Sequence, residues 1–407
     1  MLKGKFIYTM GNDPLHIAVV GGAGHVGLPL SLLFVKKGYP VTLIDNNEEK
    51  IEMLKRGEFP FLEKGGSELL QEVKDGSITL TTEHKLISNC VVIILTVGTP
   101  VDEHLNPLFS PVFEVIDQIK PYLRDGQILV LRSTLFPGMS EKIYSSLRAD
   151  GINVSVSFCP ERIAQGKALS ELEQIPQIVS ASDPETLKII HSLFSSITST
   201  IIELSMTEAE LAKLFSNAWR YIKFAVSNQF YMIAEEKGLN FSRIRDAMMY
   251  NYERAKDFPT PGFAAGPCLF KDTMQLASYN RQNFALGHAA MLINETLPDF
   301  LIEKVKAKHS LEGKSVGILG MAFKANNDDK RESLAFKLRK LLQYEGATVL
   351  CTDPFIKEED FVPVEKVLEV CEIIFIGCPH SVYRDIQFKN HRIIDCWDFY
   401  LEKVKGL

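Results

Sequence analysis

Between residues 16 and 45 the chain reads HIAVVGGAGHVGLPLSLLFVKKGYPVTLID, and no other stretch narrows the possible folds as much. It opens with an apolar, β-branched run, the pattern of a parallel strand buried on both faces. A glycine turn follows, then a helical stretch, then the strand VTLID at 41–45. Gly22-Ala23-Gly24-His25-Val26-Gly27 fits G-x-G-x-x-G. In that arrangement the first glycine permits the tight turn and the second lets a pyrophosphate approach the backbone. The third lets the helix pack closely on the strand. The helix start then offers N–H groups and a partial positive charge to the anion. Asp45 closes the second strand, near the ~20-residue offset at which an acid binds ribose hydroxyls and repels a 2′-phosphate. This pattern predicts an NAD site built on Gly22, Gly24, His25, Val26, Gly27 and Asp45. The alternative is the same turn in a similar domain that binds something else.

Further apolar strands are expected at 91–100 (VVIILTVGTP), 128–134 (ILVLRST) and 154–160 (VSVSFCP), most of them separated by helical patterns. This is the βαβ alternation of a doubly wound parallel sheet. The pattern changes near residue 205. Thr207-Glu208-Ala209-Glu210 reads as a capping box, with Glu210 reaching back to Thr207. A run without Gly or Pro continues to Gly238, a helix stop, and would span on the order of 45 Å. After a loop-rich stretch at 254–272 and more helix to about 307, a second βα series opens with SVGILG at 315–320. It continues with ATVLCTDP at 347–354, EIIFIGC at 372–378 and RIID at 392–395. This series has Gly317 and Gly320 but not the full fingerprint, so no second dinucleotide site is expected there. The expected architecture is α/β: two Rossmann-like, doubly wound parallel-sheet domains joined by a long central helix and helical connector. The expected boundaries are 1–204, 205–308 and 309–407.

The balance of 45 Lys+Arg against 51 Asp+Glu leaves a net charge of −6. Such a chain is a poor general nucleic-acid binder, because phosphate contacts need a basic surface. No window reaches ~18 consecutive apolar residues, so neither a transmembrane helix nor a membrane partner is expected. Residues 1–16 lack the apolar core of a signal peptide. The seven cysteines form no CxxC pair, and free thiols in a reducing cytoplasm follow. Six lie mostly in or at the end of apolar strands, where a core role is expected. Cys268 instead sits in GFAAGPCLFKD (262–272), beside Lys271. A cysteine there is either a small core residue or a nucleophile whose thiolate the cation favours. Chemistry alone leaves both open.

Seven ordered blocks resemble the UDP-glucose/GDP-mannose dehydrogenase family over essentially the whole chain. They are VVGGAGHVG, VGTP at 97–100, RSTLFPG at 132–138, CPERIAQG at 159–166, ELAKLFSNAW at 210–219, the cysteine loop, and GMAFKANNDDKRES at 320–333. The resemblance implies oxidation of the C6 alcohol of a nucleotide sugar to a carboxylate, with two NAD and no second enzyme. The implied substrate is UDP-glucose or a UDP-N-acetylhexosamine. GPCLFKD is similar to the UDP-glucose and GDP-mannose branches, and CPERIAQGKA to the UDP-N-acetylhexosamine branch. The resemblance also implies residue roles. The fingerprint, Asp45 and Lys50 hold the adenosine half of NAD. Thr99 and Thr134 line the cofactor further along, and Lys271 and Arg331 contact it. Glu161 positions or activates water. Lys213 and Asn217 stand near the reacting sugar. Cys268 is the nucleophile and Asp272 the acid of its loop. Gly262, Phe263 and Lys324, with Glu161, Lys213 and Asn217, bind the nucleotide sugar. No metal is implied.

Spacing agrees with several of these roles. Lys213 and Asn217 are i and i+4, on one helical face. Glu161 follows a proline at a strand end, where binding loops of open α/β sheets cluster. Plainer alternatives stand beside them: Lys213 as a solvated helix charge, Glu161 in an ion pair with Arg162 or Lys167, Lys324 and Arg331 as surface charges among Asp328, Asp329 and Glu332. The family's loop usually has paired glycines before the cysteine, whereas Ala264-Ala265-Gly266-Pro267 is a less permissive backbone. Leu214, Ala218, Tyr221, Ile222 and Ala225 recur at spacings suited to a buried stripe, and a homodimer through this connector is expected. Two other readings remain. A two-electron hydroxyacid-type dehydrogenase needs neither Cys268 nor the C-terminal α/β domain. A non-catalytic NAD- or nucleotide-sugar-binding protein does not need Glu161, Lys213, Asn217, Cys268 and Asp272 together.

Overall fold

The first apolar run is the strand Ile17–Val20 (β1), with every residue buried. The computed structural model describes residues 9–10, 13–73, 77–99, 102, 108, 110–264, 266–388 and 390–400. Helix α1 (Gly27–Lys36) leads to β2 (Val41–Ile44). Then come α2 (Glu48–Arg56), β3 (Ile78–Thr81), β4 (Val92–Leu95), β5 (Ile128–Leu131), α3 (Met139–Ala149) and β6 (Ser155–Phe158). The six strands are parallel and ordered β3-β2-β1-β4-β5-β6. This is the doubly wound Rossmann order, whose direction reverses between β1 and β4; ligands bind outside the carboxyl ends of the strands at that point. Successive β1 residues supply both faces. Ile17 and Val19 join Phe34, Val41 and Leu43, while Ala18 and Val20 join Ile93, Leu95, Leu129 and Leu131. Burying each larger side chain contributes ~1.5–3 kcal/mol, which is why these strands read as unbroken apolar runs. Edge strand β3 is half-exposed and polar at alternate positions, so the sequence pattern does not mark it. A short parallel pair, β7 (Gln177–Val179) and β8 (Ile201–Glu203), follows.

The long helix is α4, Met206–Glu236, 31 residues. Its end is as expected: Gly238 has φ +67°, a left-handed stop. Its start differs from the expected capping box. Ser205 is the cap, its N–H and hydroxyl donating to Glu208 Oε2 at 2.9 and 2.7 Å. Glu210 turns inward instead and holds the start of α3. Its carboxylate accepts from the Gly138 N–H at 2.6 Å, and from the Ser140 N–H and hydroxyl at 2.8 and 2.6 Å.

The chain divides into two compact units between Phe215 and Ser216. In the second unit, α5 (Leu269–Tyr279) and α6 (Ala285–Lys306) precede another βα series. It comprises β9 (Ser315–Leu319), α7 (Leu334–Tyr344), β10 (Thr348–Thr352), β11 (Ile373–Ile376) and β12 (Arg392–Ile394). Its strands are parallel, ordered β10-β9-β11-β12. On α4, Leu214, Ala218, Tyr221 and Ala225 are buried, and Tyr221 and Ala225 pack with Ala264, Leu269 and Ala290. This stripe is therefore occupied within the chain. A different row of α4, Phe215, Trp219, Val226, Phe230 and Ile233, is exposed, Trp219 at 60%. Among the described residues no helix is long and apolar enough to cross a membrane.

Candidate active site

In the first unit the expected residues gather where the strands of the sheet end. The turn after β1 is anchored by the Gly21 and Gly22 N–H groups on the Ile44 carbonyl, at 2.9 and 3.0 Å. Asp45 ties the end of β2 to it: Oδ2 accepts from the Ala23 N–H at 2.9 Å and Oδ1 from the Asn47 N–H at 3.0 Å. The three glycines are needed for different reasons. A Cβ on Gly22 would lie 2.5 Å from Leu43 Cγ, and one on Gly27 would lie 2.7 Å from the Gly21 carbonyl oxygen. A Cβ on Gly24 would meet that oxygen only at 3.5 Å, an ordinary contact. The protein itself leaves room beside Gly24, which is where a pyrophosphate approaches. The turn and acid thus fit NAD. His25 packs against Phe61, ring centroids 4.0 Å apart and planes tilted by 43°. Lys50 is half-buried in the first turn of α2, whose cap is Asn47. Thr99 is buried after β4 and Thr134 half-buried after β5.

Glu161 follows β6, and its surroundings are not those expected. Its partner is neither Arg162 nor Lys167 as charges but Arg132, whose side chain is 0% exposed. Arg132 Nε donates to Glu161 Oε2 at 2.9 Å, and Nη2 donates to the same oxygen. Oε1 accepts from the Arg162 and Ile163 backbone N–H groups at 2.7 and 3.0 Å. Arg132 also donates to Gln177 Oε1 and the Cys159 carbonyl, and lies 5.0 Å from the Phe194 ring centroid. Both carboxylate oxygens are therefore surrounded by donors. The one hint in the sequence was an arginine closing an apolar strand, a charge that needs a partner if buried.

In the second unit, Cys268 is the N-cap residue of α5. Lys271 and Asp272 consequently lie in its first helical turn rather than in a loop. Cys268 is exposed and the other six cysteines are buried. Burial pushes Cys90 and Cys371 up to about 11 and Cys351 up to about 12, leaving them protonated at neutral pH. Asp272 is fully buried; Oδ2 accepts from Asn217 Nδ2 at 2.6 Å, and the Lys271 ammonium lies 3.3 Å from Oδ1. Asn217 stands one turn beyond Lys213 on α4. Lys213 is 8% exposed, so it is not a solvated surface charge. Arg331 forks onto Asp329, with Nε 3.0 Å and Nη2 2.6 Å from its oxygens. That bond first, and the field of Cys268 to a smaller degree, raise its guanidinium above the usual range.

The cysteine loop is held by residues that sequence reasoning passed over. Asn228 Nδ2 donates to the Gly262 carbonyl at 3.0 Å, and its Oδ1 accepts the Gly262 N–H at 2.8 Å. Asn228 in turn bonds Asn294 at 2.9 Å. Gly262 has φ +147°, and a Cβ there would collide with Trp397, whose ring meets Phe263 edge-on at 5.8 Å. Gly266 N–H donates to the Glu332 carbonyl at 3.2 Å, tying the loop to the segment bearing Arg331. Ala265 lies outside the described residues. Lys324 is half-buried on the segment after β9.

Fold and site together define an NAD-dependent oxidoreductase. In three consecutive parts the chain matches the models of one family: its NAD binding domain at residues 15–198, its central domain at 207–296 and its UDP binding domain at 317–401. It is 28% identical over 371 residues to UDP-N-acetyl-D-mannosamine dehydrogenase of Methanocaldococcus jannaschii, covering 89% of this chain and 86% of that one. It is also 28% identical over 420 residues to UDP-N-acetyl-D-glucosamine 6-dehydrogenase of Pseudomonas aeruginosa, covering 97% of each. The solved structure of the UDP-D-ManNAc dehydrogenase of Pyrococcus horikoshii superposes with a TM-score of 0.87 at 27% identity, over 94% of this chain and 95% of that one. The chain belongs to the UDP-glucose/GDP-mannose dehydrogenase family: it is an oxidoreductase that acts on the CH–OH group of a nucleotide sugar with NAD as acceptor.

Proposed function

We propose that the protein oxidises the C6 alcohol of a UDP-N-acetylhexosamine to the carboxylate, a four-electron reaction passing through a thioester on Cys268. The observation that carries this reading is the cysteine's setting. It is the exposed thiol of the chain, at the cap of an eleven-residue helix, and its field reaches the Arg331 guanidinium. An exposed thiol is the one a substrate carbonyl can reach, and sulfur is the nucleophile that a covalent intermediate needs. The glycine turn and Asp45 would hold NAD, which would supply the hydride acceptor, one molecule for each of the two oxidations. Asn217 orients Asp272 through the bond it donates, and Asp272 receives the proton of the C6 hydroxyl, directly or through water. Lys213 stabilises the developing alkoxide. Cys268 adds to the aldehyde carbon, giving a thiohemiacetal that can lose a second hydride to become a thioester. Water then cleaves the C–S bond, releasing the acid and the thiol. Glu161, with both oxygens taken by donors, is assigned the ordering of its own loop rather than the taking of a proton.

The names of the relatives and the CPERIAQGKA block favour an N-acetylhexosamine; GPCLFKD keeps UDP-glucose as the second reading. Seven free cysteines fit a reducing cytoplasm. The exposed apolar row of α4 extends over about 27 Å and is offered as the contact with a second copy of the chain. The expected domain division, 1–204, 205–308 and 309–407, forms part of the same proposal. The test is NADH formed per sugar consumed, with UDP-glucose, UDP-GlcNAc, UDP-ManNAc and GDP-mannose in parallel. About two on a UDP-N-acetylhexosamine is the expected result. About one would mean that the aldehyde leaves and Cys268 has another role.

A further inference from the structure

The two sheets treat the same acid differently. In each unit an aspartate closes the second strand of the series and ties down the turn after the first. In the first unit Asp45 does so with one oxygen on the Ala23 N–H, and it stays half-buried. In the second unit Asp353 Oδ2 accepts from the Met321 and Ala322 N–H groups at 2.6 and 3.1 Å, and Oδ1 from the Phe355 and Ile356 N–H groups at 2.8 and 3.0 Å. Asp353 is fully buried and covered by an equally buried His380. This acid has no face left for a ribose.

His380 comes from the carboxyl end of β11. Its Nδ1 lies 2.9 Å from the backbone nitrogen of Asn326, and its Nε2 lies 3.0 Å from Asp353 Oδ2. A backbone N–H only donates, so Nδ1 is the acceptor and Nε2 carries the proton toward Asp353. Asn326 is held in a left-handed conformation, φ +55°. Its Oδ1 accepts from the Ser381 N–H and hydroxyl, both at 2.9 Å. The close approach of the two segments is enforced at Gly320, where a Cβ would collide with the Cys378 backbone. Lys324 stands two residues before Asn326. The buried side-chain nitrogen of Asn327, one residue beyond, has no acceptor among the described residues.

We propose that His380, braced by Asp353, is a positioning residue for nucleotide-sugar binding: it fixes the Asn326 backbone and so the turn that presents Lys324. The inference rests on the reading that this turn contacts the nucleotide sugar, a reading supported by the family's UDP binding domain at 317–401.

The test is titration of the full-length protein with UDP and, separately, with NAD, for two complementary variants. His380→Asn keeps an acceptor near the Nδ1 position and loses the bond to Asp353. His380→Gln keeps a donor near the Nε2 position and loses the acceptor for Asn326. The dissociation constant for UDP is expected to rise about tenfold in His380→Gln and less than about threefold in His380→Asn. NAD affinity should not move in either. Asn326→Ala, on the exposed side of the same lacing, should also weaken UDP alone, and gives the answer should the buried variants fold poorly. Wild-type UDP affinity in His380→Gln, alongside a loss in Lys324→Ala, would overturn the proposal and spare the binding reading. Unchanged UDP affinity in both would overturn the binding reading and the proposal with it. Parallel losses of UDP and NAD affinity in Asn326→Ala as well would mark a general loss of folding and also overturn it.

Discussion

Glu161→Gln separates two roles for the same carboxylate. Around Glu161 the structure offers only donors: Arg132 Nε and Nη2 on one oxygen, and two backbone N–H groups on the other. A glutamine can satisfy one side with its carbonyl, but its NH2 must then face donors on the other. The change also leaves the Arg132 guanidinium, 0% exposed, without a counter-charge. At about 4 Å and an effective dielectric of ~20, the lost Coulomb term is ~4 kcal/mol. Removing one partner of a buried pair costs ~3–5 kcal/mol. For a unit of this size ~1 kcal/mol shifts Tm by ~2–4 °C, so the transition of the first unit should fall by on the order of 10 °C in scanning calorimetry. Arg132→Met should also destabilise, and the double variant should lose clearly less than the sum of the two, because the orphaned charge is gone. A Tm within about 2 °C of wild type would refute the reasoning. If an acyl-enzyme then accumulated, seen as a mass adduct on Cys268, the carboxylate would be the base for thioester hydrolysis after all.

The other expectations are more direct. Cys268→Ser should yield little carboxylate by product chromatography, and its NADH per sugar should drop from about two toward one or less; full acid production would remove Cys268 from the chemistry. Gly24→Ala adds a methyl in ordinary contact, so it should keep its Tm but weaken NAD binding. Gly27→Ala adds one 2.7 Å from backbone and should lose stability as well; the two compared by calorimetry and NAD titration check the division of labour in the turn. Trp219→Glu with Phe230→Glu should leave a monomer by light scattering at micromolar concentration if α4 forms the contact between copies. For Asp353, burial alone would raise the carboxyl, but the bond from His380 and those from the Met321 and Phe355 N–H groups outweigh it and hold it below its ordinary value. A depressed folded pKa means stability that is present above the unfolded value and is lost as pH falls through the folded one. The stability gap between wild type and Asp353→Asn should therefore narrow below about pH 4, measured by denaturant unfolding across pH.

What the sequence alone determined is what near neighbours along the chain determine. Both sheets were legible because parallel strands buried on both faces must be apolar throughout, as β1 is. The phosphate turn was legible because its glycines answer to contacts within one βαβ unit. The stop of α4 at Gly238 was legible because a left-handed residue ends a helix locally. Edge strand β3, polar on alternate residues, left no such trace. Only the tertiary structure decided where distant groups meet. Glu161 looked paired with its sequence neighbours, but it is bonded to Arg132 on the adjacent strand end, a residue 29 positions away. Glu210 looked like its own helix's cap, but the start of α3, 70 positions back, claimed it, and Ser205 with Glu208 took over the capping. The buried stripe of α4 looked available to a second subunit, but Tyr221 and Ala225 of that stripe pack on Ala264, Leu269 and Ala290 of the chain itself. In each case a local partner was geometrically possible. The distant one won because a charge or apolar face taken out of water must be satisfied by whatever the packed strands and helices bring beside it.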